Sequence, residues 1–233
     1  MLYKCVSMDL ITFRTRIEFG KQSVLKTPAG SVFRVLTGEE SPEDGRPEEP
    51  GVRLNDEKNK MLILWEYEFC SVLFEDRKEG RDCLKRAVDI LTKINKVAGI
   101  GDLASVELAT HWILPVKGYE FKELELKYRE AFLKNNELLG NCIDSSAVLT
   151  LACDSGIMYH QSGAMSIEQL NKDFRIFHFD GKGNKLFIFL MARMVSESVV
   201  QFSASQVEES LDWSFGQLEK HASDFSRIME ATL

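Results

Sequence analysis

The residue pattern predicts an α+β fold: a mostly antiparallel sheet built from two related strand-strand-helix halves, with amphipathic helices packed on one face. Three observations predict it. Several short runs carry the period-two or continuous apolar patterns of strands, and three longer segments repeat apolar residues at spacings of three and four. Two stretches about 125 residues apart also read alike, NKMLILWEYEFCSVLFED from Asn59 and NKLFIFLMARMVSESVVQF from Asn184.

The first strand is the clearest. In SMDLITFRTRIEFG, Ile11, Phe13, Thr15, Ile17 and Phe19 alternate with Thr12, Arg14, Arg16 and Glu18, so one sheet face is expected to be apolar and the other wet. SVELATHWILPVKG opens the second half as the weaker echo of this strand. Each Asn-Lys stretch is expected to run as a strand and pass into a helix. Further strands are expected over 147–153, around 157–160, and over 173–179 (DFRIFHF). Asp180-Gly181 then reads as a tight reversal that pairs the last of these with the run from Leu186. The glycines there lack the spacing and the Lys-Ser/Thr ending of a phosphate loop.

Three helices follow from periodicity. One spans 80–98, with Leu84, Ala87, Val88, Leu91, Ile94 and Val97 inward and Gly99 or Gly101 as its stop. A second spans 120–139 on Phe121, Leu124, Tyr128, Ala131, Phe132 and Leu138, with Gly140 after it. The third, over 206–231, carries Val207, Leu211, Phe215, Leu218, Ala222, Phe225 and Met229 in one stripe, with Ser205 and Glu208 as a capping-box pattern. Its near-heptad spacing also suits a homodimer seam, although covering its own sheet is the preferred use. The halves are placed at 1–101 and 102–233, forming one pseudo-duplicated unit.

Composition narrows the function classes. With 44% apolar and 28% charged residues the chain has ordinary globular usage. No run approaches a membrane span and MLYKCVSMDL lacks a secretory pattern, so a cytoplasmic location is expected. The five cysteines, Cys5, Cys70, Cys83, Cys142 and Cys153, are scattered without CxxC spacing, which argues for reduced thiols and against a zinc site. A net charge of −7 argues against nucleic acid as a partner. Residues 38–51, GEESPEDGRPEEPG, carry six acids against one Arg, a net −5, and three prolines. This segment is expected to be a solvated loop, and Glu39, Glu40, Glu43, Asp44, Glu48 and Glu49 are the candidate docking residues for a protein with a basic surface.

Candidates for chemistry are few. His111, His160, His178 and His221 fall in no metal-ligand spacing, and the expectation is no metal and no cofactor. His160 and His178, with Cys153, are the weak catalytic candidates, since neighbouring strands would bring both histidines to one face. Glu66 and Glu68 would share a face if one strand ran through both, although a solvated strand face is the commoner meaning of that spacing. Arg14 and Arg16 on the polar face raise single-stranded nucleic-acid binding, which lacks its aromatic signature here. No GxSxG motif supports a serine nucleophile. The sequence therefore points to a non-enzymatic accessory or regulatory protein that binds a protein through a sheet face, a sheet edge or the acidic loop. The alternative is a small-molecule-binding protein or hydrolytic enzyme with a pocket between sheet and helices.

Overall fold

A computed structural model describes residues 8–20, 29–38, 51–66, 68–76, 79–133, 145–153 and 156–233. The first half consists of β1 (Asp9–Phe19), α1 (Ala29–Thr37), β2 (Gly51–Asp56), β3 (Met61–Glu66), β4 (Phe69–Glu75) and α2 (Gly80–Ala98). The second repeats this order with β5 (Asp102–Val116), α3 (Phe121–Phe132), β6 (Ser146–Cys153), β7 (Gly156–Ser166), β8 (Leu186–Gln201) and α5 (Ala204–Thr232). Between β7 and β8 the second half inserts α4 (Ile167–Asp173) and a short 3-10 turn at Gly181–Gly183.

The strands form an eight-stranded sheet in the order β2-β3-β4-β1-β5-β8-β7-β6, antiparallel at every junction. That order is symmetric about the β1–β5 seam, so the two halves are related strand for strand and the α+β duplicated architecture is present. The matching differs from the sequence reading in one respect. The segment from Asn59 opens β3, whereas the segment from Asn184 opens β8, whose counterpart is β4. The resemblance of those two stretches reflects shared strand composition rather than equivalent positions.

One sheet face is the main core. Phe13 and Ile17 of β1, Val72 and Phe74 of β4, Leu108 of β5 and Leu190 of β8 point into it and are nearly or fully buried. The α5 stripe closes over these residues, and Val207, Leu211, Phe215, Leu218, Ala222, Phe225 and Met229 are all buried within the chain. The apolar seam that suggested a homodimer is therefore covered internally. Phe215 stacks on Trp112 at 6.4 Å between centroids and tilts against Phe13 at 5.7 Å. Helix α5 starts earlier than the Ser205–Glu208 pattern implies, with Ser203 at the N-cap and no side-chain cap bond. Helix α2 has its expected bounds and ends on Gly99 in the left-handed conformation, φ 59°. In α3 a capping box joins Glu120 and Glu123, while Leu138 and Gly140 lie outside the described residues.

The amphipathic helices α2, α3 and α5 pack on the main-core face, and the opposite face is partly covered by the short helix α4 and the segment that follows it. A β-bulge between Leu10 and Thr12 turns Ile11 away from the main core. Ile11 joins Ile113, Leu170, Phe179, Phe187 and Phe189 in a second, smaller core beneath α4 and the segment that follows it. No strand forms over 173–179. Those residues run irregularly across the sheet end, so β8 pairs with β5 and β7 and not with them. The long run after Asn59 is a hairpin rather than one strand, and Glu66 and Glu68 flank its reversal instead of sharing a face. Among the described residues, no helix is long and apolar enough to cross a membrane.

Candidate functional site

Three places concentrate polar chemistry. The first is a corner where the β3 start, the β4 end, the β1 bulge and the segment after α4 meet. Asp56 accepts hydrogen bonds from the Asn59 backbone N–H at 2.9 Å and from its side-chain amide at 2.7 Å, which turns the chain sharply and leaves Lys60 at φ 47°. Lys60 Nζ then pairs with Asp76 and donates to the His178 carbonyl at 3.2 Å. Across the same corner Arg175 is fully buried. Its Nε is 3.0 Å from Glu75 Oε2, its Nη2 is 2.7 Å from Asp76 Oδ1, and its Nη1 donates to the Ile11 carbonyl at 3.2 Å.

Glu75 also accepts from the backbone N–H groups of Ile176 and Phe177, each at 3.0 Å. Burial raises the Glu75 pKa, and these two donors with the Arg175 charge pull it back. Lys60, Lys182, Asp76, Asp180 and His178 line a pocket of about 400 Å³ at this corner. Lys60, Asp76 and Lys182, at φ 47°, 57° and 50°, are the positive-φ non-glycine residues among the described ones, and all three line it.

The second place is the uncovered middle of the sheet face opposite the helices. Register puts Arg14, Ala109, Arg193, Tyr159 and Thr150 in one row, with Arg16 and Glu107 in the next. Glu107 binds Arg14 at 2.7 Å and Arg193 at 3.4 Å, Arg193 lies 4.3 Å over the Tyr159 ring, and Arg16 lies 4.0 Å over Phe69. The arginine side chains keep 41% (Arg14), 37% (Arg16) and 34% (Arg193) of their surface exposed. The Nε of each has no acceptor among the described residues.

The third is a buried relay under α3 and α5. His221 Nε2 lies 2.7 Å from His160 Nδ1, and His160 Nε2 lies 2.6 Å from Ser162 Oγ. Tyr128 Oη is 2.8 Å from both Ser162 Oγ and the Ser162 carbonyl, and accepts from the Ala147 N–H at 3.1 Å. The order Ser162, His160, His221 resembles a nucleophile, base and orienter. Ser162 is only 1% exposed, and the relay braces β7 against the two helices. Burial lowers the pKa of His160 to about 4 and also lowers that of His221, holding both rings neutral.

The residues singled out from sequence are thus spread apart. His160 faces the helix layer, whereas His178 belongs to the segment crossing the other side of the sheet. Cys153 shares the His160 face but sits opposite Gly156, four positions on from Leu149, the partner of His160, or about 13 Å along the strand. Among the described residues no three His, Cys, Asp or Glu side chains are grouped to hold a metal ion. Cys70 is a free thiol whose pKa burial pushes up to about 12, which makes it inert at neutral pH. Glu39, Glu40, Glu43, Asp44, Glu48 and Glu49 lie outside the described residues. Sequence reading missed Arg175 because it expected a strand there. The signal that corrects it is Ser166-Ile167-Glu168-Gln169, a capping box that starts α4 and removes the following residues from the sheet.

No protein-family model matches this chain, and no curated protein does. Among solved structures it is similar to Methanococcus jannaschii TBP, at 11% identity over 94% of this chain and 99% of that chain, with a TM-score of 0.34.

Proposed function

We propose that this is a non-enzymatic accessory protein that docks an acidic protein partner on its uncovered sheet face, around Arg14, Arg16, Arg193 and Tyr159. One observation carries the reading. In a chain of net charge −7, the sheet surface left open by the helices presents three partly exposed arginines that share few carboxylates. Arginine and tyrosine on a rigid surface are the residue types that anchor protein interfaces, because both offer large contact area and directed donors. The burial of Ser162 weighs against the hydrolytic alternative.

The test is affinity purification of the tagged full chain from its native cells, beside an Arg14→Glu/Arg16→Glu/Arg193→Glu variant and a deletion of residues 38–51. A stoichiometric acidic partner lost on arginine reversal and retained on loop deletion supports the reading. A partner lost only with the loop moves the docking site to the acidic segment, and a bare chain in all three sinks both.

A second reading rests on the strained corner. A pocket of about 400 Å³ edged by Lys60, Lys182, Asp76 and Asp180 suits a small polar molecule carrying both charges. Thermal-shift screening with amino acids and phosphorylated metabolites, repeated on Lys60→Ala/Lys182→Ala, decides it. A shift that the double variant abolishes supports this reading, and no shift across the panel overturns it.

A further inference from the structure

The two edges of the sheet are built differently. One edge is β2, six residues reading GVRLND, with exposed Arg53 and the acidic Asp56 in a short strand. Charges of this kind blunt an edge against pairing, because burying them beside a new strand costs desolvation. The other edge is β6, eight residues reading SAVLTLAC, with no charge and no proline. It pairs with β7 along its whole length without a bulge, so nothing twists it out of the sheet. Among the described residues, Val148 at 70%, Leu149 at 46% and Ile157 at 38% are three of the six exposed large hydrophobics, and all lie on this edge or the strand behind it.

From this asymmetry we infer that β6 pairs antiparallel with β6 of a second copy of this chain, joining two eight-stranded sheets into one across a twofold axis near Thr150. The occupant follows from the strand itself. An axis perpendicular to the sheet and passing beside Thr150 pairs Val148 with Ala152, Leu149 with Leu151 and Ala147 with Cys153 of the partner copy. Each pair stays on one face, as antiparallel register requires. Apart from the central Thr150–Thr150 pair these are apolar, and no like charges meet. Pairing of β6 with β2 of another copy would be head-to-tail, would place Arg53 and Asp56 against an apolar strand, and would propagate rather than close. The isologous dimer closes.

The axis keeps the same sheet face on the same side in both copies. The two arginine rows therefore lie on one broad surface, and the helix layers lie together on the other. The dimer stands independently of the docking proposal, because its contacts are apolar and backbone, and it is insensitive to salt where an arginine-bound partner is not.

Sedimentation equilibrium and light scattering on the full chain test it, beside Val148→Lys/Thr150→Lys and, separately, Ala152→Lys. All three positions are exposed, so each substitution leaves the monomer fold intact, which circular dichroism and the thermal transition verify. The wild type is expected at twice the 26.5 kDa chain mass at low and high salt, and both variants at the chain mass with an unchanged spectrum. A wild-type chain that stays monomeric at every concentration overturns the inference, as does a dimer that persists in both variants. If one variant misfolds, the mass of the other decides.

Discussion

Arg175 and Glu75 form an ion pair of 3.0 Å in which neither side chain has any exposed surface, and the pair fastens a structureless segment to the end of a sheet. Arg175 also reaches the carbonyl that the β1 bulge turns outward at Ile11, at 3.2 Å. A bulge, a strand end and the segment after α4 are thereby held by one guanidinium. Two charges in a dry site attract strongly, yet both lose hydration, so the pair fixes geometry more than it adds stability.

Removing one partner is therefore costly. Arg175→Met leaves the Glu75 carboxylate buried without a cation and is expected to destabilise the protein by about 3–5 kcal/mol in urea unfolding. Arg175→Met/Glu75→Leu is expected to recover part of that loss and not all of it, because the Ile176 and Phe177 N–H groups lose their acceptor. A double variant no more stable than the single one contradicts this account.

Acid should weaken the fold through its neutral histidines. His111 packs between Phe174 and Phe189, and burial first, then the charges of Arg14 and Arg175, lower its pKa to about 3. His160 is lowered to about 4, and His221 is lowered by burial against an opposing pull from Asp224. Each folded pKa lies below the ordinary value of about 6.5, so the unfolded chain binds protons first as pH falls. Stability is complete above about pH 6.5 and declines toward about pH 4. Urea midpoints measured across that range check the sign. His111→Leu is expected to flatten part of the decline with little cost at neutral pH, because the ring's Nδ1 has no partner among the described residues.

Helix α2 starts against Phe215 of α5. Gly80 is buried, and a methyl group on it would lie 2.1 Å from the Phe215 Cζ, a clash with the ring edge. Gly80→Ala is expected to cost about 1–3 kcal/mol by overpacking despite the better helix propensity of alanine. Pairing it with Phe215→Leu should return part of the loss, read from thermal midpoints.

Tyr128 ties α3 to β6 and β7 through one oxygen. Tyr128→Phe leaves the Ala147 N–H and the Ser162 carbonyl without that partner and is expected to cost about 1–3 kcal/mol. Hydrogen exchange at Ala147 should accelerate more than exchange within α2, which distinguishes local loosening from global destabilisation.

Much of this architecture was legible in the chain. Alternation in β1 marked Phe13 and Ile17 as inward, and the spacing of Leu211, Phe215, Leu218 and Phe225 marked the buried face of α5. These patterns are local consequences of strand and helix periods. The Ile11 position was not legible, because a bulge inserts one residue and reverses the facing of its neighbour without a sequence mark. The strand expected over 173–179 failed for a related reason. Its apolar residues Phe177 and Phe179 are buried against the second core while the backbone between them is held by Arg175 and Glu75 rather than by a neighbouring strand.

The candidate site divides in the same way. Sequence placed Arg14 and Arg16 together on the polar face of β1, since two residues separated by one position share a side. It could not supply Glu107, which pairs with Arg14 and Arg193 at separations of 93 and 86 residues, or the Tyr159 ring beneath Arg193. The sequence by itself determined the amphipathic helices α2 and α5 and most of the apolar face of β1, because those depend on neighbours within a turn or two of chain. Only the tertiary structure decided strand order, the split of the four histidines between two sides of the sheet, and the contrast between a charged and an apolar edge. Those depend on which distant backbones share hydrogen bonds, and that choice is settled by packing across the whole sheet.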